Sequence, residues 1–117
     1  MVGFFSKPKR TLRKMVKNGD YKEALEFGHS IAAKYNKDHD YLFIMGGIHY
    51  ILDDSKNVFY YMDQALEINP FDVDALHLKA SVYAASGEKE KMMEYCKKIH
   101  EIDPEHQGAR ELLDSSR

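Results

Sequence analysis

A lone cysteine, Cys96, among 117 residues excludes an internal disulfide and any cysteine-rich metal framework, and it fits a reducing compartment. Tryptophan is absent, and only three prolines and seven glycines interrupt the chain, so neither a loop-rich scaffold nor a disordered one is expected. The opening residues MVGFFSKPKR lack the apolar run of a secretion signal, and Val2 stands where N-terminal myristoylation needs Gly. A cytoplasmic protein is the expectation. No HExxH, no glycine-rich phosphate loop and no nucleophile paired with a base is visible, and the six histidines are scattered. The chain therefore reads as a non-enzyme without cofactor or metal. Cys96 and His100 lie four apart on one helix, but two ligands do not make a site, and both read as packing positions.

One sign of charge is also missing locally. Residues 1–19 carry Lys7, Lys9, Arg10, Arg13, Lys14 and Lys17 and no acid, whereas the remainder holds 11 basic and 19 acidic residues. A basic end of this kind suits an acidic partner, nucleic acid or anionic lipid, or it is simply a solvated helix face. What is present otherwise is the material of one folded domain, with 44% apolar residues and abundant Tyr and Phe.

The segment EINPFD at 67–72 returns as EIDPEH at 101–106. Sliding the chain on itself by 34 residues, without gaps, aligns Leu42 with Leu76, Ile48 with Val82, Tyr61 with Tyr95, Ala65 with Ile99, Ile68 with Ile102 and Pro70 with Pro104. Extended backwards, the register sets Gly19 above Asp53 and Gly87, and Ala24 above Val58 and Met92. Three units follow, 5–38, 39–72 and 73–106. Each reads as two helices broken at NGD (18–20), DDS (53–55) or SGE (86–88). Pro70 and Pro104 end the second helix of their units, and Asn36, Lys37 and Asp38 take that place in the first. Residues 107–117 read as a terminal capping helix burying Ala109, Leu112 and Leu113. Other helical hairpin arrays and an irregular bundle are the alternatives, but neither requires an ungapped register.

The segments GDYKEALE (19–26) and YYMDQALEINP (60–70), with the 34-residue period, resemble the tetratricopeptide repeat over residues 5–106. Gly46 and Ala80 stand at its small position and Tyr83 at its aromatic one. His49 departs from that aromatic, Val58 and Met92 from a small residue, and Pro8 from a large apolar one. The resemblance implies an all-α, right-handed α-α superhelix of tandem helix-turn-helix repeats, with a concave wall made by the first helix of each unit.

Steps of three and four residues put Ser6, Lys9, Arg13 and Val16 on that wall, then Asp40, Phe43, Gly47 and Tyr50, then Asp74, His77, Ser81 and Ala84. The apolar helix YLFIMGGIHYIL (41–52) is too short to span a membrane, and a central position explains most of its side chains. It leaves Phe43, Tyr50 and Ile51 pointing at the groove, where aromatic side chains make efficient contacts. Gly46 and Gly47 weaken a helix interior, so a close approach should justify them. A form of this groove that clamps a terminal carboxylate is broken here: Lys9 fits its first position, but Arg13, Ile44, Asp74 and Leu78 do not.

The expected function is therefore a scaffold that binds a protein or peptide segment with acidic and apolar residues, through Lys9, Arg13, Phe43, Gly47, Tyr50, His77 and Ser81. In the alternative, the basic first helix meets nucleic acid or another anionic surface. Further expectations are that Asp53 and Asp54 cap the helix that follows them, and that one ring of Phe59, Tyr60 and Tyr61 is left on the convex side, a hint of a homodimer. Val2, Phe4 and Phe5 beside the lysines also permit a contact with membrane, or cover the groove themselves.

Overall fold

The structure, a computed structural model, describes residues 7–116. Eight helices account for most of them: α1 (Pro8–Lys17), α2 (Tyr21–Ser30), α3 (Ala32–Tyr35), α4 (His39–Ile51), α5 (Ser55–Ile68), α6 (Val73–Ala85), α7 (Lys89–Ile102) and α8 (Gln107–Ser115). The expectations for Val2, Phe4, Phe5 and Ser6 lie outside the described residues.

Helix starts and stops recur with the sequence period. The backbone NH groups of Tyr41, Ala75 and Ala109 donate to Asp38 Oδ1 (3.0 Å), Asp72 Oδ1 (3.1 Å) and His106 Nδ1 (3.1 Å), so N-caps fall at 38, 72 and 106. Asp54 also caps, accepting from Asn57 N at 3.3 Å, as expected. Asp53 does something else: it has φ 58°, and the other left-handed residues among those described are Gly19 (φ 80°) and Gly87 (φ 78°). At each of these three positions the same two bonds close the preceding helix. Gly19, Asp53 and Gly87 donate to Val16, Tyr50 and Ala84 O, and the next residue reaches back to Met15, His49 or Tyr83 O at 2.8–2.9 Å. Glycine adopts this geometry freely, whereas Asp53 holds it with a Cβ in the way.

The helices then stack in two layers. Helices α1, α4, α6 and α8 lie side by side, each touching the next, and α2, α5 and α7 cover them from behind by packing on both flanking members. The particle is elongated, 51 × 24 × 22 Å. Positions 34 apart share their fate: Ala24, Val58 and Met92 are all buried, as are Leu42 and Leu76. The interior forms two clusters, one around Leu12, Tyr41, Met45, Ile48 and Met62, the other around Ala80, Met92, Cys96 and Ile99, with Leu66 packed against both. Cys96 is buried as expected, but His100 is exposed and not a packing residue.

Two close approaches depend on glycine. A Cβ at Gly46 would sit 2.5 Å from Met62 Cε and 3.5 Å from Tyr61 Cβ, which is how α5 comes tight against α4. A Cβ at Gly28 would run into Met45, and the Gly28 carbonyl accepts the buried Tyr41 hydroxyl at 2.9 Å. Burial and the neighbouring Tyr61 push that phenol up to about 12. The first unit departs from its simple two-helix reading here. Its second helix breaks at Ile31, whose NH is shared at 3.3 Å between Phe27 and Gly28 O, because a flexible glycine and a β-branched residue meet within one turn.

Candidate functional site

The wall of α1, α4 and α6 carries every expected site residue, but not as one surface. Lys9 and Arg13, expected to offer charge to a partner, are engaged within the chain. Lys9 Nζ lies 3.0 Å from Asp38 Oδ2 and 3.3 Å from Asp40 Oδ2, and Arg13 Nη2 lies 3.2 Å from Asp40 Oδ2. The hydrogen bond to Asp38 outweighs desolvation and raises the Lys9 pKa, while Lys9 and then His39 hold Asp40 below the ordinary carboxylate range. These acids sit 29 to 31 residues downstream, at the start of α4. Arg10, Lys14 and Lys17 are the exposed cations of α1 that join none of the ion pairs among the described residues.

Between α1 and α4 opens a cavity of about 310 Å³, lined by Arg13, Val16, Lys17, Phe43, Ile44, Gly47, Ile48 and Ile51. Its floor is almost wholly apolar and the two cations stand on it from α1. Gly47 differs from its neighbour here. Among the described residues no heavy atom lies within 4 Å of where its Cβ would be, so the expected close approach exists at Gly46 and is not seen at Gly47. Ile44, Ile48 and Lys17 were missed as lining residues, although Lys17 is one turn beyond Arg13, and Ile44, Ile48 and Ile51 follow one another at helical spacing on the stripe beside Phe43 and Gly47.

Tyr50 does not join Phe43. It is 41% exposed and borders a separate cleft of about 90 Å³ made by Asp53, Asp54, Val82, Ala85 and Ser86. Tyr50 leaves α4 about a hundred degrees round from Ile51, toward α6, whereas Ile51 at nearly the same height lines the α1 side.

Further along the wall the surface becomes polar. His39 stacks on Phe43, with ring centroids 6.1 Å apart and planes 5° from parallel, and its Nε2 lies 2.9 Å from Asp72 Oδ2. Burial lowers the pKa of this histidine, but Asp72 and Asp40 prevail and leave it raised. His77 faces His106 of the loop before α8 at 5.1 Å, and Gly108 makes room, since a Cβ there would sit 2.6 Å from His77 Nε2. Burial, then the His106 charge, lowers the pKa of His77. The Ser81 hydroxyl donates to His77 O at 2.9 Å. Behind the wall, Lys79 is buried, 2.6 Å from Asp63 and 4.9 Å from the Tyr95 ring, a link between α6 and the second layer that hydropathy does not disclose. Tyr60 is the ring left outside, 60% exposed.

With this geometry in view, comparison with known families gives one result: residues 73–106 match the model of the tetratricopeptide repeat. They span α6, α7 and the turns that bound them. No curated protein matches the chain. The matched repeat is a helical hairpin of a kind that typically serves as a non-catalytic protein-interaction module. Among the described residues, no helix is long and apolar enough to cross a membrane.

Proposed function

We propose that the chain is an array of three tetratricopeptide-like hairpins, 5–38, 39–72 and 73–106, closed by the helix from 107, and that its α1, α4, α6 wall is the concave surface of a right-handed superhelix that binds a peptide segment of another protein. Support for the three-fold division comes from the left-handed residues at 19, 53 and 87 and the N-caps at 38, 72 and 106. The single observation that carries the binding reading is the apolar cavity between α1 and α4. Gly47 keeps it open although glycine costs about 1 kcal/mol relative to alanine in a helix interior, and no close contact among the described residues repays that cost.

A ligand for this cavity brings an apolar side chain to Phe43, Ile44 and Ile51 and an acidic group to Lys17, the lining cation that joins none of the ion pairs among the described residues. Selection from a displayed random-peptide library tests this, with the wild type and Gly47→Leu as parallel baits. The expected result is a shared apolar and acidic pattern recovered by the wild type and lost with Gly47→Leu, which fills the cavity without disturbing the packed side of α4. Equal recovery by both baits would refute the cavity as the site.

The second reading, binding of nucleic acid, is favoured by one observation: Arg10, Lys14 and Lys17 remain exposed along α1. It predicts affinity that collapses with added salt and ignores Gly47→Leu.

A further inference from the structure

The N-terminal turns of α4 and α6 bring His39, Asp72 and Asp74 together, with one ligand atom from each lying within 4.8 Å of the others. We propose that these three residues form a binding site for a divalent transition-metal ion of the Zn²⁺ class, clamping the second and third hairpins together.

Asp72 is the anchor. Its side chain is only 4% exposed, Oδ1 is used by the cap on Ala75, and Oδ2 has no aligned hydrogen-bond donor among the described residues although His39 Nε2 lies 2.9 Å away. A metal ion there takes the place of the proton through which His39 and this buried carboxylate pair at 2.9 Å, and exposed His39 moves back to admit it.

His39 is oriented for the same purpose. Its Nδ1 lies 3.4 Å from Asp40 Oδ1, which leaves Nε2 directed at Asp72, the carboxylate-histidine arrangement that fixes a metal-binding imidazole. Asp40 is in turn held by Lys9 and Arg13, and Phe43 stacks on the ring. Asp74 is exposed and free to swing. A tetrahedral shell with bonds of about 2.1 Å sets its ligand atoms roughly 3.4 Å apart, so exposed His39 and Asp74 need only small side-chain motions to close the triangle. Two carboxylates and a neutral imidazole balance a divalent charge, and a fourth position remains open. The imidazole favours Zn²⁺ and its neighbours in the transition series over Mg²⁺ or Ca²⁺.

Isothermal titration of the full chain with ZnCl2 tests the proposal, alongside His39→Gln, Asp74→Asn and two controls at exposed histidines, His29→Gln and His100→Gln. Asp72 is left intact because its cap supports α6. The proposal expects one equivalent of Zn²⁺ bound by the wild type, affinity weakened by about tenfold or more in His39→Gln and Asp74→Asn, and both controls unchanged, with circular dichroism the same in all. Unaltered binding in His39→Gln, loss in His100→Gln, or no binding by the wild type at millimolar Zn²⁺ would each overturn it.

Discussion

Two adjacent glycines on α4 separate the inside of this molecule from its working side. Gly46 faces α5, where the Met62 methyl and the Tyr61 Cβ close over it, while Gly47, a hundred degrees round the helix, faces an open cavity. The residue type and the local conformation are the same, but one glycine is required by the fold and the other is not. The difference assigns fold and function to opposite faces of one helix.

The sharpest way to break the comparison is to put the same large side chain at both positions. Gly46→Leu drives a side chain into the α4–α5 contact and should cost about 3 kcal/mol, read from urea unfolding. Gly47→Leu should leave stability equal or raised by up to about 1 kcal/mol, because leucine is the better helix former and none of the described residues approaches the position. Similar losses at both sites would mean that the two faces are not distinct.

A smaller effect separates the three hairpin turns. Gly87→Ala forces a side chain into φ 78° and should cost about 1 kcal/mol, whereas Asp53→Gly relieves the same strain and should stabilise by a few tenths to about 1 kcal/mol. Paired thermal melts of the two variants should therefore shift in opposite directions.

The two histidines that flank the N-terminal turns of α6, His39 and His77, should respond to pH with opposite sign. His39 has a pKa raised above the ordinary 6.5 by Asp72 and Asp40 against the pull of burial, so its contribution is complete below 6.5 and fades as pH rises through the folded value. His77 is lowered by burial and by His106, so its contribution is present above 6.5 and is lost as pH falls through its folded value. Acidification from neutral to pH 5.5 should loosen the docking of α8, seen as faster exchange of the Ala109 to Leu113 amides after correction for intrinsic rates, and His77→Gln should flatten that response. The smallest effect belongs to Lys9. Its bridges are partly exposed, and Lys9→Met should leave the urea midpoint where it is in the wild type.

Much of the fold was legible because it is periodic. A 34-residue offset depends on helix length and turn chemistry, and Gly19, Asp53, Gly87, Pro70 and Pro104 record both in the sequence. The resemblance put Gly46 at a position of close approach, but the same reading expected one at Gly47 as well. It did not show that Lys9 and Arg13 are held by Asp38 and Asp40, because a helical stripe states which face a side chain leaves from and not which carboxylate it meets across a junction. Nor did it separate Tyr50 from Phe43, since a stripe drawn on one helix ignores where the neighbouring helices end. The break at Ile31 had a local signal, Gly28 and a β-branched residue within one turn, but the two-helix period passed over it. His39, Asp72 and Asp74 could have been noticed, because 72 and 74 flank the position one repeat beyond 39.

The central claim, that the Gly47 side of α4 is the binding surface, is tested most directly by titrating a library-selected peptide into the ¹⁵N-labelled protein and mapping the amide shifts. The account predicts that they concentrate on Arg13, Val16, Lys17, Phe43, Gly47 and Ile51, with the α5 and α7 amides still. Shifts gathered instead around the exposed Phe71 and Ile102, on the far side of the layers, would contradict it.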